Sequence, residues 1–257
     1  MDWKAVAQLN EQYQSASAKE IVAWAANSGL RLGLACSFSA EDTTLVHLLA
    51  RAIQTRPEAR DRLFVFYLET GRLPEETLQT LDQCMRRYPE LRFQAFFPDR
   101  EAVEDLLNRK GAFSFYESIE NRKECCAIRK VEPLKRALSG LDGWITGLRQ
   151  SQSVTRASLP VVALDADHGG IIKLNPLASW SEAEVYNFIE ENDVPLNPLH
   201  KQGFPSIGCA PCTRAVKPGE DIRAGRWWWE SPEHKECGLH VSAPQTSSLS
   251  SISKAQS

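Results

Sequence analysis

The sequence predicts an α/β fold with a parallel, Rossmann-like sheet, and three observations predict it. Short apolar runs recur at Leu30–Cys36 (LRLGLAC), Leu63–Leu68 (LFVFYL) and Leu91–Phe97, as expected of strands buried on both faces. Between them lie stretches with helical periodicity, Thr43–Ile53, Pro74–Arg87 and Asp99–Asn108. Polar capping residues follow directly on a strand end in Ser37-Phe38-Ser39-Ala40-Glu41-Asp42. Strands that alternate with helices in this way form a parallel sheet covered on both faces.

Taken in order, residues 2–28 read as one helix, with Val6, Leu9, Ile21, Val22 and Trp24 as apolar positions. The junction after Cys36 aims backbone N–H groups and the Ser37 and Ser39 hydroxyls above the sheet edge, which suits a phosphate. An ordinary helix cap is the alternative, since neither GxxxxGK[ST] nor GxGxxG occurs. Pro74 opens the second helix, because proline is tolerated in a first turn, and Asp99 caps the third. Glu117–Ala137 is basic and partly helical. Trp144–Leu148 and Ile171–Leu174 read as further strands, and residues 149–156 as a polar loop with two arginines. Ser181 and Glu184 stand at capping-box spacing at the start of a helix to Glu191. Ligands of such sheets sit at the carboxyl ends of strands, here near the turns after Cys36 and Leu68.

The chain has 257 residues, of which 42% are hydrophobic and 25% charged, so it can build a sizeable core. Thirty basic and thirty-three acidic residues give a net charge of -3, which argues against nucleic acid or a membrane surface as a partner. No apolar run reaches the length of a membrane span, and the N-terminus lacks the pattern of a secretory signal. A cytoplasmic location is the expectation, and there seven cysteines point to metal binding or redox chemistry rather than structural disulfides.

The cysteines form a pattern. Cys209 and Cys212 make a Cys-x-x-Cys pair, and Cys125 and Cys126 are adjacent in basic sequence. Four thiolates are the full complement of a structural zinc or a [4Fe–4S] cluster. Adjacent side chains diverge, which suits the separate corners of a cluster better than one ion; zinc, a disulfide or unligated thiols are the alternatives. Cys36 and Cys84 lie in apolar sequence and read as core residues. Cys237 has Lys235, Gly238 and His240 as neighbours, a setting that favours a nucleophilic thiolate; a surface thiol is the alternative. Arg223 and Arg226 stand one helical turn apart, and Trp227–Trp229 read as a helix end packing on the body.

At these residues the chain resembles the thioredoxin-dependent adenylyl-sulfate and phosphoadenylyl-sulfate reductases of sulfate assimilation and cysteine biosynthesis. The matching segments are Ser37–Asp42, LETGRLPEET (68–77), KECCAIRKVEPL (123–134), GLRQSQSVTR (147–156), PLHKQGFPSIGCAPCTR (198–214), GRWWWE (225–230) and KECGLH (235–240). The two cysteine pairs resemble the cluster-bearing branch, whose usual substrate is adenosine 5′-phosphosulfate (APS). The resemblance implies an adenine nucleotide alpha-hydrolase (PP-loop) type of fold with a C-terminal catalytic tail. Residues 1–230 would form the nucleotide- and cluster-binding domain, 231–240 a mobile catalytic segment and 241–257 a disordered tail.

It further implies that Lys130, Arg156, Arg223 and Arg226 contact the phosphosulfate. Arg149, Ser37, Ser39 and His240 would complete the substrate-binding set. Cys125, Cys126, Cys209 and Cys212 would ligate a [4Fe–4S] cluster, and Cys237 would be the nucleophile. Glu69 stands where the family more often has Asp. Thioredoxin or glutaredoxin would be the electron donor and a homo-oligomer the assembly. The rival readings are a 3′-phosphoadenylyl-sulfate (PAPS) reductase and a cluster- or zinc-bearing nucleotide or nucleic-acid module. A tRNA-thiolating relative would need an ATP-cleaving glycine loop, which Ser39-Ala40-Glu41-Asp42 is not.

Overall fold

The computed structural model describes residues 2–152 and 159–231. The helices are α1 (Trp3–Tyr13), α2 (Ala18–Asn27), α3 (Ala40–Thr55), α4 (Glu75–Arg87), α5 (Arg100–Lys110), α6 (Ile119–Cys126), α7 (Glu132–Leu138) and α8 (Glu182–Glu191). The strands are β1 (Leu32–Ala35), β2 (Leu63–Leu68), β3 (Phe93–Phe96), β4 (Gly143–Ile145), β5 (Val162–Asp165) and β6 (Ile171–Leu174). They form one sheet in the order β3-β2-β1-β4-β6-β5. Every pairing is parallel except β5 with β6, which is antiparallel. Among the described residues no helix is long and apolar enough to cross a membrane.

The expected α/β fold is present, and β2 shows why its runs are apolar throughout. Leu63 and Val65 face the core formed with α2 and α3, while Phe64 and Phe66 face the core formed with α7. A strand covered on both faces has no polar side to alternate with. Gly33 on β1 belongs to the same packing: a Cβ there would lie 2.8 Å from the Phe66 ring.

Three readings change. The single helix over residues 2–28 is two, because Ser17 starts a new one. Its hydroxyl accepts from Glu20 N while the Glu20 carboxylate accepts from Ser17 N, a capping box that ends any continuous helix. The edge strand β5 was not predicted. It leads into β6 through a turn closed by Gly169 and Gly170, at φ 81° and 71°, conformations that glycine adopts without strain. The expected strand at Trp144–Leu148 is only Gly143–Ile145, since the chain after it turns into the site.

Asn175, fully buried, holds three segments together at the end of β6. Its Oδ1 accepts from Thr146 Oγ1 at 2.6 Å, its Nδ2 donates to Pro160 O at 2.8 Å, and its backbone N donates to Val161 O at 2.8 Å. Asn175→Ala leaves the Thr146 hydroxyl and the Pro160 carbonyl without these partners. We expect a loss of about 1–3 kcal/mol per stranded buried group, read by urea denaturation. A change within 0.5 kcal/mol, roughly the size of a neutral surface substitution, would count against the role given to Asn175.

Candidate active site

The strand order reverses between β1 and β4, with β2 and β3 to one side and β6 and β5 to the other. Chains leaving the carboxyl ends of β1 and β4 therefore part, and a crevice opens where they do. A cavity of about 470 Å³ lies there, walled by the β1–α3 turn, the segment after β4, and residues 205–209, 222–223 and 226–227. That is within the usual size range of small-molecule sites.

One end of the cavity is acidic. Asp42 is buried in the first turn of α3, and its Oδ2 accepts from Ser37 N at 2.6 Å and Ser37 Oγ at 2.7 Å. Burial raises the Asp42 carboxyl to about 6, only partly offset by the Ser37 bonds, and Glu41 adds to the rise. Glu41 pairs with Arg149, at 2.9 Å from Arg149 Nε and 2.8 Å from Nη2. Ser39, the N-cap, makes no side-chain capping bond. Instead His200 Nε2 accepts from Ala40 N at 3.2 Å, and burial holds that imidazole below its ordinary pKa. Gly147 is what lets the segment after β4 lie against this turn, since a Cβ there would lie 2.5 Å from Asp42 Oδ1. A phosphate at this helix start, as the sequence suggests, would face two carboxylates and find Ala40 N already bonded.

The other end is basic and shares a wall with a second, smaller cavity. Lys130, Cys209 and Trp227 line both. The second cavity also carries Cys125, Cys126, Cys212, Arg72, Arg122 and Arg129. Cys125 and Cys126 end α6, and the chain continues into α7 through a wide π turn, Ala127–Val131, that contains Arg129 and Lys130. Cys209 and Cys212 flank a tight turn docked by three bonds: Ala210 N to Arg72 O at 2.8 Å, Tyr116 Oη to Pro211 O at 2.6 Å and Trp227 N to Cys212 O at 3.1 Å. All four cysteines are buried free thiols.

Burial alone would push the Cys209 thiol up, but Lys130, the Thr70 hydroxyl, Arg226 and Arg129 together bring it below its ordinary value. Cys212 goes the other way, to about 12, through burial and the neighbouring Cys209. Arg129 Nη1 donates to Thr70 O at 2.6 Å, and Arg226 Nη1 to Ile207 O at 3.1 Å. The Nε of each is buried without a hydrogen-bond partner. Donor type, donor number and these orphaned cationic nitrogens fit an anionic, thiolate-ligated cluster. Among the described residues no three His, Cys, Asp or Glu side chains are grouped as holders of a single metal ion.

The structure thus brings together most of the site residues expected from the sequence. Ser37, Ser39, Lys130, Arg149, Arg223 and Arg226 line the large cavity, and the four paired cysteines line the small one. Arg156, Cys237 and His240 lie outside the described residues, as do residues 232–257 of the expected catalytic segment and tail. Arg223 and Arg226 are not on a helix; Arg226 pairs with Thr213 in an isolated antiparallel bridge. Trp227 is buried between the guanidinium groups of Arg122, at 4.8 Å, and Arg226, at 4.9 Å, with φ 41°. Glu69 closes its own turn by accepting from Gly71 N at 2.8 Å. Cys36 and Cys84 are core residues, as expected. Sequence reasoning missed Thr70, His200 and Arg129 as wall residues. LETG and PLH lay within the matching segments, but nothing in them marked which side chain turns inward.

Comparison with known proteins agrees with this geometry. Residues 31–215 match the family model described as phosphoadenosine phosphosulfate reductase domain. A protein of Allochromatium vinosum named adenosine 5′-phosphosulfate reductase is 52% identical over 206 residues, 80% of this chain and 77% of its own length. One of Burkholderia cepacia with the same name is 49% identical over 212 residues, 82% and 81% of the two chains. Among solved structures, the phosphoadenylyl-sulfate (PAPS) reductase of Candida auris, a phosphate complex, superposes with a TM-score of 0.69 at 25% identity over 84% of this chain and 98% of that one. An FMN adenylyltransferase of Candida glabrata shares the fold, with a TM-score of 0.52 at 14% identity over 90% and 75%.

The raised Asp42 carboxyl has a consequence for stability. Its folded pKa of about 6 lies above the ordinary value of 3.8, so folding favours the protonated form. The favourable contribution is present below pH 4 and is lost as pH rises through 6. Relative to Asp42→Asn, which does not titrate, wild type should lose about 2–3 kcal/mol between pH 4 and pH 7. Urea denaturation of both proteins across that range checks this, and a pH-independent difference would reject it.

Proposed function

The chain belongs to the phosphoadenosine phosphosulfate reductase family, and we propose that it reduces APS to sulfite and AMP with electrons from a protein dithiol of the thioredoxin or glutaredoxin type. One observation carries this reading: the nucleotide-sized cavity and the four-cysteine cavity share a wall, formed by Lys130, Cys209 and Trp227 with Arg226 beside it. An anionic group bound against that wall is met by cations, and charge-assisted bonds are the strong ones.

The reaction needs an anion to be attacked by an anion. Lys130, Arg223 and Arg226 lower that barrier by holding the phosphosulfate oxygens as the Cys237 thiolate attacks sulfur. The bond between sulfur and the bridging oxygen breaks, AMP leaves with the electron pair, and Cys237 carries SO₃⁻. A donor thiolate then attacks the Cys237 sulfur, and sulfite leaves with the electron pair. The donor's second thiol resolves the mixed disulfide and returns Cys237 as a thiolate. The two donor thiols supply both electrons. Cys125, Cys126, Cys209 and Cys212 would hold the [4Fe–4S] cluster, which when bound supplies fixed charge beside the wall and a rigid tie among its ligands.

APS is favoured over PAPS on charge. The acidic end of the cavity, with Glu41, Asp42 and Glu182 in its lining, is a poor place for a 3′-phosphate that carries about 1.5–2 negative charges. We expect kcat/KM to be higher for APS, and a preference for PAPS would reverse the substrate assignment. Arg226→Ala should lower kcat/KM for APS by about 30-fold or more, the cost of removing one buried charged contact. Cys237→Ser should abolish sulfite formation yet retain AMP binding, and wild type given APS without a donor should gain one SO₃ on Cys237 by mass spectrometry. Anaerobically purified protein should be brown with about four irons per chain. Colourless protein with stoichiometric zinc, or an adduct on another cysteine, would overturn the ligand and nucleophile assignments.

A further inference from the structure

Arg223 lines the nucleotide cavity without belonging to a helix or a strand. It stands on the loop 215–225, whose stem begins at the cysteine turn. Trp227 N donates to Cys212 O at 3.1 Å, Thr213 and Arg226 pair as an isolated antiparallel bridge, and Arg214 N donates to Gly225 O at 3.0 Å. A Cβ on Gly225 would run into Arg214 O, so the stem closes this tightly only over glycine. Beyond the stem one acidic side chain gathers the loop. Glu220 Oε2 accepts from Arg214 Nη1 and from Lys217 N, both at 2.8 Å, and Glu220 Oε1 accepts from Arg214 Nη2 at 3.0 Å. The Arg214 fork and the Lys217 amide hold the Glu220 carboxyl down at about 2. The next residue, Asp221, shapes the tip: its Oδ1 accepts from Arg223 N and its carbonyl from Ala224 N, both at 2.8 Å. The chain of contacts therefore runs from the stem through Arg214, Glu220 and Asp221 to Arg223.

We propose that Arg214 and Glu220 are positioning residues, a clasp that holds Arg223 at the nucleotide cavity. Their side chains are 35% and 30% exposed, and neither lines the cavity, so the pair acts through Arg223 and not on the nucleotide. A half-exposed ion pair contributes little stability, whereas a two-pronged fork fixes orientation. Orientation is what a cation on a loop lacks. A charge-assisted bond weakens steeply once distance and angle drift, and the loop has no ladder of its own beyond Arg214 and Gly225 to prevent that drift. Glu220 supplies the missing constraint by tying the half of the loop that bears Arg223 back to the stem. The proposal rests on the reading that Arg223 meets the phosphate end of the nucleotide, and its test has one arm that needs no ligand.

Glu220→Gln removes the charge of the clasp, and Arg214→Lys keeps the charge but removes the fork. In the anaerobically purified full chain, each should weaken AMP binding about fivefold, a part of what one charged contact is worth. The Kd for adenosine, which has no phosphate, should not move. In an Arg223→Ala background the same substitutions should change the AMP Kd by less than about twofold, because a residue that acts through Arg223 then has nothing to act on. Brief trypsin digestion of the unliganded native proteins, read by mass spectrometry, should cut after Arg223 about threefold faster or more in both variants than in wild type. An AMP loss that persists in the Arg223→Ala background, or an equal loss for adenosine, would overturn the proposal. So would wild-type AMP affinity in both variants when Arg223→Ala weakens it. Equal cutting after Arg223 would overturn it whatever the binding data. If one variant fails to fold, the other carries the test. If Arg223→Ala itself leaves AMP binding unchanged while the clasp variants are cut faster, the functional reading of Arg223 fails and the positioning role stands.

Discussion

A cation can serve a buried anion only if it is held in place without being neutralised. The wall between the two cavities depends on that constraint. Arg129 is anchored on the Thr70 carbonyl and Arg226 on the Ile207 carbonyl, and Arg72 donates to the Ala112 carbonyl. Carbonyl dipoles fix a guanidinium and leave its charge whole. Where a charge has no work to do at the wall, a carboxylate takes it up, as in Arg122 with Glu230, Arg149 with Glu41 and Arg214 with Glu220. Buried charge without a counter-ion is costly, so this wall lowers the stability of the fold.

The sheet delivers the wall. Its order reverses at β1 and β4, and the elements that carry the cations arrive from outside the sheet, on the π turn between α6 and α7 and on the chain after Gly208. Gly208 itself has no room for a side chain, because a Cβ there would run into the Arg226 guanidinium. The acidic lining belongs to the β1–α3 turn and the start of α8, so the cavity has two ends of opposite sign. A zwitterionic gradient of this kind orients a ligand whose charge is concentrated at one end.

What the sequence made legible was local. β2 matched its apolar run residue for residue, Ser181 and Glu184 formed their capping box, and the two cysteine pairs met at one cavity. What it hid was long-range. Arg122 meets Glu230 across 108 positions, and Thr70 meets Cys209 across 139; neither pairing has a local pattern. The strand β5 was missed because four residues ending in Asp165 carry too little periodicity. Its pairing with β6 and the bond that Trp144 Nε1 donates to Asp165 Oδ2, at 2.9 Å, become visible only in the fold. Arg223 and Arg226 had helical spacing but no helix, because Gly225 lets Arg226 bridge to Thr213.

The wide turn after Cys126 acts as a phase spacer. An α-helix advances about 100° per residue, with i and i+4 on one face. A π turn closes i to i+5, here Glu132 N to Ala127 O, so Arg129 stays against Cys125 while Lys130 reaches the wall that both cavities share. The ammonium on the shared wall therefore owes its direction to one extra residue wound into the helix and not to any special property of lysine. A chain one residue shorter between Cys126 and Glu132 would keep its thiols and its helices, yet its cation would point around the axis, away from both cavities. Length here is as much a part of the site as chemistry.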